Sequence, residues 1–70
     1  MTKNFKYIVI NKNDMKTLNH FATAEYLASY LWNRKLKDVL VIIDEKMVVN
    51  AGDIGADCIL KLQQRLEQIG

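Results

Sequence analysis

Two segments of this chain are apolar without alternation, and they set the problem that its fold has to solve. Val39-Leu40-Val41-Ile42-Ile43 is one, and Tyr7-Ile8-Val9-Ile10 is the other. A strand that is apolar at every position must be covered on both faces, by its own chain or by a partner. The β-branched and aromatic content of Tyr7–Ile10 predicts a first strand, and the turn-forming cluster Asn11-Lys12-Asn13-Asp14 predicts its exit. Lys16-Thr17-Leu18-Asn19-His20-Phe21 alternates loosely and reads as a weakly apolar returning strand, with a loop as the alternative.

The pattern then changes period. Thr23 precedes Ala24-Glu25-Tyr26-Leu27-Ala28-Ser29-Tyr30-Leu31-Trp32-Asn33-Arg34-Lys35, a run of good helix formers with an acid in its first turn and bases in its last. At ~100° per residue, Ala24, Leu27, Ala28 and Leu31 share one arc, with Tyr30 at one rim and Trp32 at the other. That arc is expected to face a sheet. Asp38 marks the start of the strand Val39–Ile43, Asp44-Glu45-Lys46 the break, and Met47-Val48-Val49 a short partner strand, although the break lacks an Asn-Gly signal. Asn50 or Asp53 is expected to cap a last helix running to about Ile69 and ended by Gly70. Along it Ile54, Cys58, Ile59, Leu62, Leu66 and Ile69 share a face opposite Asp57, Lys61, Gln64 and Gln68.

These elements predict an α+β domain, ββαββα, or βαββα if the weak strand is a loop. Its three- to four-stranded, mainly antiparallel sheet carries two helices on one face. The second face stays apolar in either phase. Burying Tyr7, Val9, Val39, Val41 and Ile43 leaves Ile8, Ile10, Leu40 and Ile42 outside, and the opposite phase leaves an equally apolar set outside. Four such side chains expose a few hundred Å² at most, on the order of what marks an interaction site on a soluble domain.

Composition narrows the classes of function. The chain has 70 residues, with no proline, linker or repeat, which predicts a single domain spanning 1–70. Half of the residues are apolar and 26% charged, as in a folded chain rather than a disordered one. Cys58 is the only cysteine, so no internal disulfide forms, and one Cys with one His does not complete a four-ligand zinc site. The start Met1-Thr2-Lys3-Asn4-Phe5-Lys6 is not followed by an apolar stretch of signal-peptide length, and no run approaches the ~20 residues of a membrane span. The expectation is a cytoplasmic protein without a membrane segment.

Groups with chemical potential are few. His20 has no carboxylate or nucleophile in a recognisable arrangement around it, and Cys58 reads as a small buried hydrophobe. Asp44 and Glu45 are adjacent and so point apart on a strand, which suits a solvated turn better than an acid/base pair. Gly52 and Gly55 lack the Lys-Ser/Thr of a phosphate loop and the third glycine of a dinucleotide fingerprint. No enzyme, cofactor or metal is therefore expected.

Two binding readings remain. Ile8, Ile10, Leu40 and Ile42, with the helix aromatics Tyr26, Tyr30 and Trp32, are candidates for a protein interface. The partner is another protein or a second copy, a homodimer being the prior for self-association. The aromatics have a plainer reading too, in which Tyr30 and Trp32 widen the core stripe and Tyr26 lies on the surface. The alternative partner is nucleic acid, bound through Lys12, Lys16, Arg34, Lys35 and Lys37. Only two of the ten bases are arginine, the net charge is +2, and a positive cluster at a helix end also satisfies the helix dipole. The expected role is that of a non-enzymatic adaptor, inhibitor or regulator of a larger protein. In size and in its Lys, Asn and Ile bias, the chain resembles accessory proteins of bacteriophages and mobile elements.

Overall fold

The computed structural model describes residues 5–69. The expected stop at Gly70 and the positive start at Met1–Asn4 lie outside the described residues. Strands β1 (Tyr7–Asn11), β2 (Thr17–Phe21), β3 (Val39–Ile43) and β4 (Met47–Asn50) form one antiparallel sheet in the order β2-β1-β3-β4. Helix α1 (Ala24–Arg34) connects β2 to β3, and helix α2 (Ile59–Ile69) closes the chain. The fold is α+β with the order ββαββα, and the weak segment after the first turn is a strand.

Pairing of β1 with β3 sets which residues share a face, and the helices choose the inner one. Tyr7 lies opposite Ile43 and Val9 opposite Val41, and these four, with Val39, are buried. Ala24, Leu27, Ala28 and Leu31 of α1 and Leu62 and Leu66 of α2 complete the same core. Both helices therefore cover one face of the sheet. The molecule measures 37 × 24 × 19 Å, and the shortest dimension has room for one sheet and one helix layer but no third, since stacked layers lie ~10 Å apart.

β2 is an edge strand, which explains its faint pattern: only Phe21 is even half-buried. Its register with β1 passes from Val9↔Asn19 to Ile10↔Thr17, so Leu18 is an extra residue and makes a bulge, a feature that protects sheet edges. The preceding turn is built from local polar contacts. Asn11 Oδ1 accepts from the Asn13 amide at 2.8 Å and Asp14 Oδ1 from the Lys16 amide at 3.0 Å.

Helix α1 begins with the Thr23 carbonyl accepting from the Leu27 amide at 3.3 Å, without a side-chain cap. It ends at Lys35, which adopts a left-handed conformation, and the Leu36 amide turns back to the Leu31 carbonyl at 3.1 Å. This is a Schellman-type stop made without the usual glycine.

The last helix differs from expectation. Asn50 does cap, its Oδ1 accepting from the Gly52 amide at 3.0 Å, but what it caps is a single 3-10 turn, Ala51–Asp53. Gly55, at φ +69°, then redirects the chain, and α2 starts at Ile59. Apolar residues at helical spacing conceal this break, because Ile54 is buried from the connection rather than from a helix. Ile59, now the first residue of α2, keeps the phase of Leu62 and Leu66 but is exposed at the helix end, whereas Leu62 and Leu66 are buried and Ile69 is half-buried. Cys58 is not a turn inside the helix but immediately ahead of it, its carbonyl accepting from the Leu62 amide at 3.0 Å. Asp57 likewise precedes α2 and pairs with Lys61 at 3.5 Å. Among the described residues, no helix is long and apolar enough to cross a membrane.

Candidate functional site

The sheet face turned away from the helices is the most distinctive surface. Directly opposed residues of an antiparallel pair share a face. The registers therefore line up His20, Ile8, Ile42 and Val48 in one row across all four strands, and Thr17, Ile10, Leu40 and Asn50 in the next. None of these eight positions carries a carboxylate, an ammonium or a guanidinium. Ile8, Ile10, Leu40 and Ile42 are half-buried by their neighbours in the sheet, and Val48 is 59% exposed. Phe5 lengthens the first row by stacking on the His20 ring at 4.1 Å and 22°. Since both helices pack against the opposite face, this band has no second layer among the described residues.

The aromatics of α1 part company. Tyr26 is 65% exposed. Tyr30 leans toward β2, its ring 5.1 Å from that of Phe21 and beneath the Arg34 guanidinium at 5.1 Å, so it widens the core stripe. Trp32, 39% exposed, lies on the other rim and faces a different neighbourhood, the connection that leads into α2.

That neighbourhood is a cleft of about 650 Å³, open along one side. Leu31, Leu36, Ile54 and Leu62 form its apolar wall, and Trp32, Lys35 and Lys37 stand at its polar margin. The Gly52 Cα closes one end so tightly that a Cβ there would lie 3.0 Å from the Lys37 carbonyl oxygen. The cleft exists because the Gly55 bend pulls the chain away from the line of α2. Arg65 reinforces the bend by donating to the Ile54 carbonyl at 2.9 Å.

The basic candidates come together in part. Lys12 and Lys16 flank the β1–β2 turn, and the Lys12 amide donates to the Asp38 carbonyl at 3.3 Å, next to Lys37. This places the two groups of bases at one end of the sheet. Arg34 turns away from them to Tyr30.

The remaining polar candidates stay apart. His20 lies on the open sheet face against Phe5, whereas Cys58 lies at the start of α2. Asp44 and Glu45 form the β3–β4 turn, both left-handed, with the Lys46 amide donating to the Ile43 carbonyl at 3.0 Å. No group of three or more His, Cys, Asp or Glu residues suited to a metal ion occurs among the described residues.

Val48, His20 and the apolar wall of the cleft were not among the interface candidates read from the sequence, whereas Trp32, Lys35 and Lys37 at its margin were, without any sign that they share one cleft. The hairpin register, if applied, puts Val48 opposite Ile42 and so signals its place in the band. The cleft has no such signal, because it arises from a change of chain direction at Gly55. Comparisons with protein-family models, with curated proteins and with solved structures found no match for this chain.

Proposed function

We propose that this chain is a non-enzymatic protein-binding module, an adaptor, inhibitor or regulator of a larger protein, which docks through the open face of its sheet. The observation that carries this reading is the uncharged band Ile8, Ile10, Leu40, Ile42 and Val48, continuous across adjacent strands and lacking a second layer among the described residues. Such a band favours apolar contact with a protein surface, whereas a nucleic-acid groove needs cations along its floor. Burial of the four central side chains contributes ~1 kcal/mol or more each, given that they are already half-shielded. The partner is another protein or a second copy of the chain. A cytoplasmic setting accords with the lone Cys58, half-buried and unpaired.

The test compares the wild-type chain with Ile42→Lys, by sedimentation for self-association and by affinity capture with nuclease present for other partners. The reading expects a stoichiometric protein partner, or a dimer, that is lost in the variant while its melting temperature is kept. Retention of every partner by Ile42→Lys, or wild-type behaviour as a monomer without partners, overturns it.

A second reading, nucleic-acid binding, draws on the meeting of Lys12 and Lys16 with Lys37 at one end of the sheet. It expects retention on heparin and an affinity for oligonucleotides that falls steeply with salt. Absence of such binding at low salt removes it.

A further inference from the structure

Trp32 and the lysines Lys35 and Lys37, which sequence reasoning assigns to two different partners, line one cleft. The geometry points to this cleft as a second docking site, for an acidic, apolar segment of a partner protein. The wall formed by Leu31, Leu36, Ile54 and Leu62 calls for apolar side chains, and the cleft, with a volume of about 650 Å³, has room for several of them. Its margin calls for negative charge: Lys35 and Lys37 stand there, and no Asp or Glu is among the residues that line it. Trp32 offers a large flat contact with a polar tip at the rim, the residue type most enriched where binding energy concentrates.

The shape decides among anionic ligands. A small amphiphile gains its affinity by burying most of its surface, and a cleft open along one side leaves much of such a molecule in water. A peptide segment laid across the opening covers its own anchors with the rest of its backbone. Nucleic acid is disfavoured by the aliphatic wall, where Trp32 is the only ring available for a base to stack on. A helix with leucines at i, i+3, i+4 and i+7 and carboxylates on its flanks matches both requirements.

This surface shares no residue with the open sheet face, so a chain using both holds two partner elements at once. The two readings also fail separately, because Ile42→Lys alters the sheet and leaves the cleft intact.

Trp32 is the only tryptophan, and its emission reports on the cleft alone. The full chain is titrated with a short amphipathic peptide bearing leucines at that spacing and glutamates elsewhere, and with a counterpart in which lysines replace the glutamates. The inference expects a saturable blue shift with the glutamate peptide, at an affinity about tenfold above that of the lysine peptide. It expects Lys37→Glu and, separately, Lys35→Gly to erase most of that preference. Lys35→Gly suits the left-handed helix stop, so its loss of affinity is not a loss of folding. Ile42→Lys retains the shift. No saturable shift, equal affinity for the two peptides, tighter binding of a dT oligonucleotide, or loss of the shift in Ile42→Lys overturns the inference.

Discussion

Among the described residues, four other than glycine hold positive φ: Met15 at 60°, Lys35 at 53°, Asp44 at 55° and Glu45 at 59°. The left-handed region costs an L-residue on the order of 1 kcal/mol. In a domain whose whole stability is on the order of 0.1 kcal/mol per residue, each such position is a considerable fraction. Lys35→Gly and Glu45→Gly are each expected to stabilise by about 1 kcal/mol, raising the melting temperature by roughly 4–8 °C, with little change in the slope of urea unfolding. An unchanged melting temperature would show that these turns do not hold their left-handed geometry in solution. Gly55 supplies the converse case. At φ +69° with nothing within 4 Å of an added Cβ, Gly55→Ala meets no clash, so its expected cost of about 1 kcal/mol is purely that of the backbone. A urea midpoint equal to that of the wild type would refute it.

At the scale of elements, the stretch between β4 and α2 carries the most information. The 3-10 turn, the Gly55 bend and buried Ile54 make a connection that looks helical by pattern and is not. Its tie to the helix is the Arg65 guanidinium on the Ile54 carbonyl. Arg65→Met keeps the aliphatic stem and removes the donor, for an expected loss of about 1 kcal/mol at this partly solvated site. The amides of residues 54–58 should then exchange faster than those of β1 and β3. Uniform exchange across the chain would mean that the connection opens only with the whole molecule. Helix α1 was legible from the sequence down to its four buried residues, because its apolar arc keeps one phase from Ala24 to Leu31. The start of α2 was not, because Ile54 and Cys58 continue the helical spacing across a glycine whose sign of φ no periodicity encodes. β2 was legible only faintly, since an edge strand buries little and its pattern is weak for that reason.

On the scale of the whole molecule, one helical layer covers one face of a four-stranded sheet, and neighbouring residues of β3 meet opposite fates. Val41 is fully buried under the helices, whereas Ile42 lies in the open band. Val41→Lys places an ammonium in the core at a cost of several kcal/mol, enough to unfold a domain of this size. Ile42→Lys directs the same group into water and should keep the far-UV spectrum and the melting temperature within a few degrees of wild type. The pair of thermal melts checks the phase of the sheet directly: equal damage in both variants would place cover on both faces.

The sequence by itself determined the order of the elements apart from the faint β2 and the 3-10 turn, together with the amphipathic arc of α1, the excess of apolar strand surface and the absence of charge from the strands' middle positions. These are local properties, carried by periodicity and by turn and cap residues. Tertiary structure alone decided the sheet order β2-β1-β3-β4, the choice of Tyr7, Val9, Val39, Val41 and Ile43 as the inner set, and the cleft beside Trp32. When both faces of a strand are apolar, its alternation carries no preference for either, and the inner face is whichever one the helices meet. The cleft is likewise a product of distant segments, made where α1 stops at Lys35 and the chain turns at Gly55.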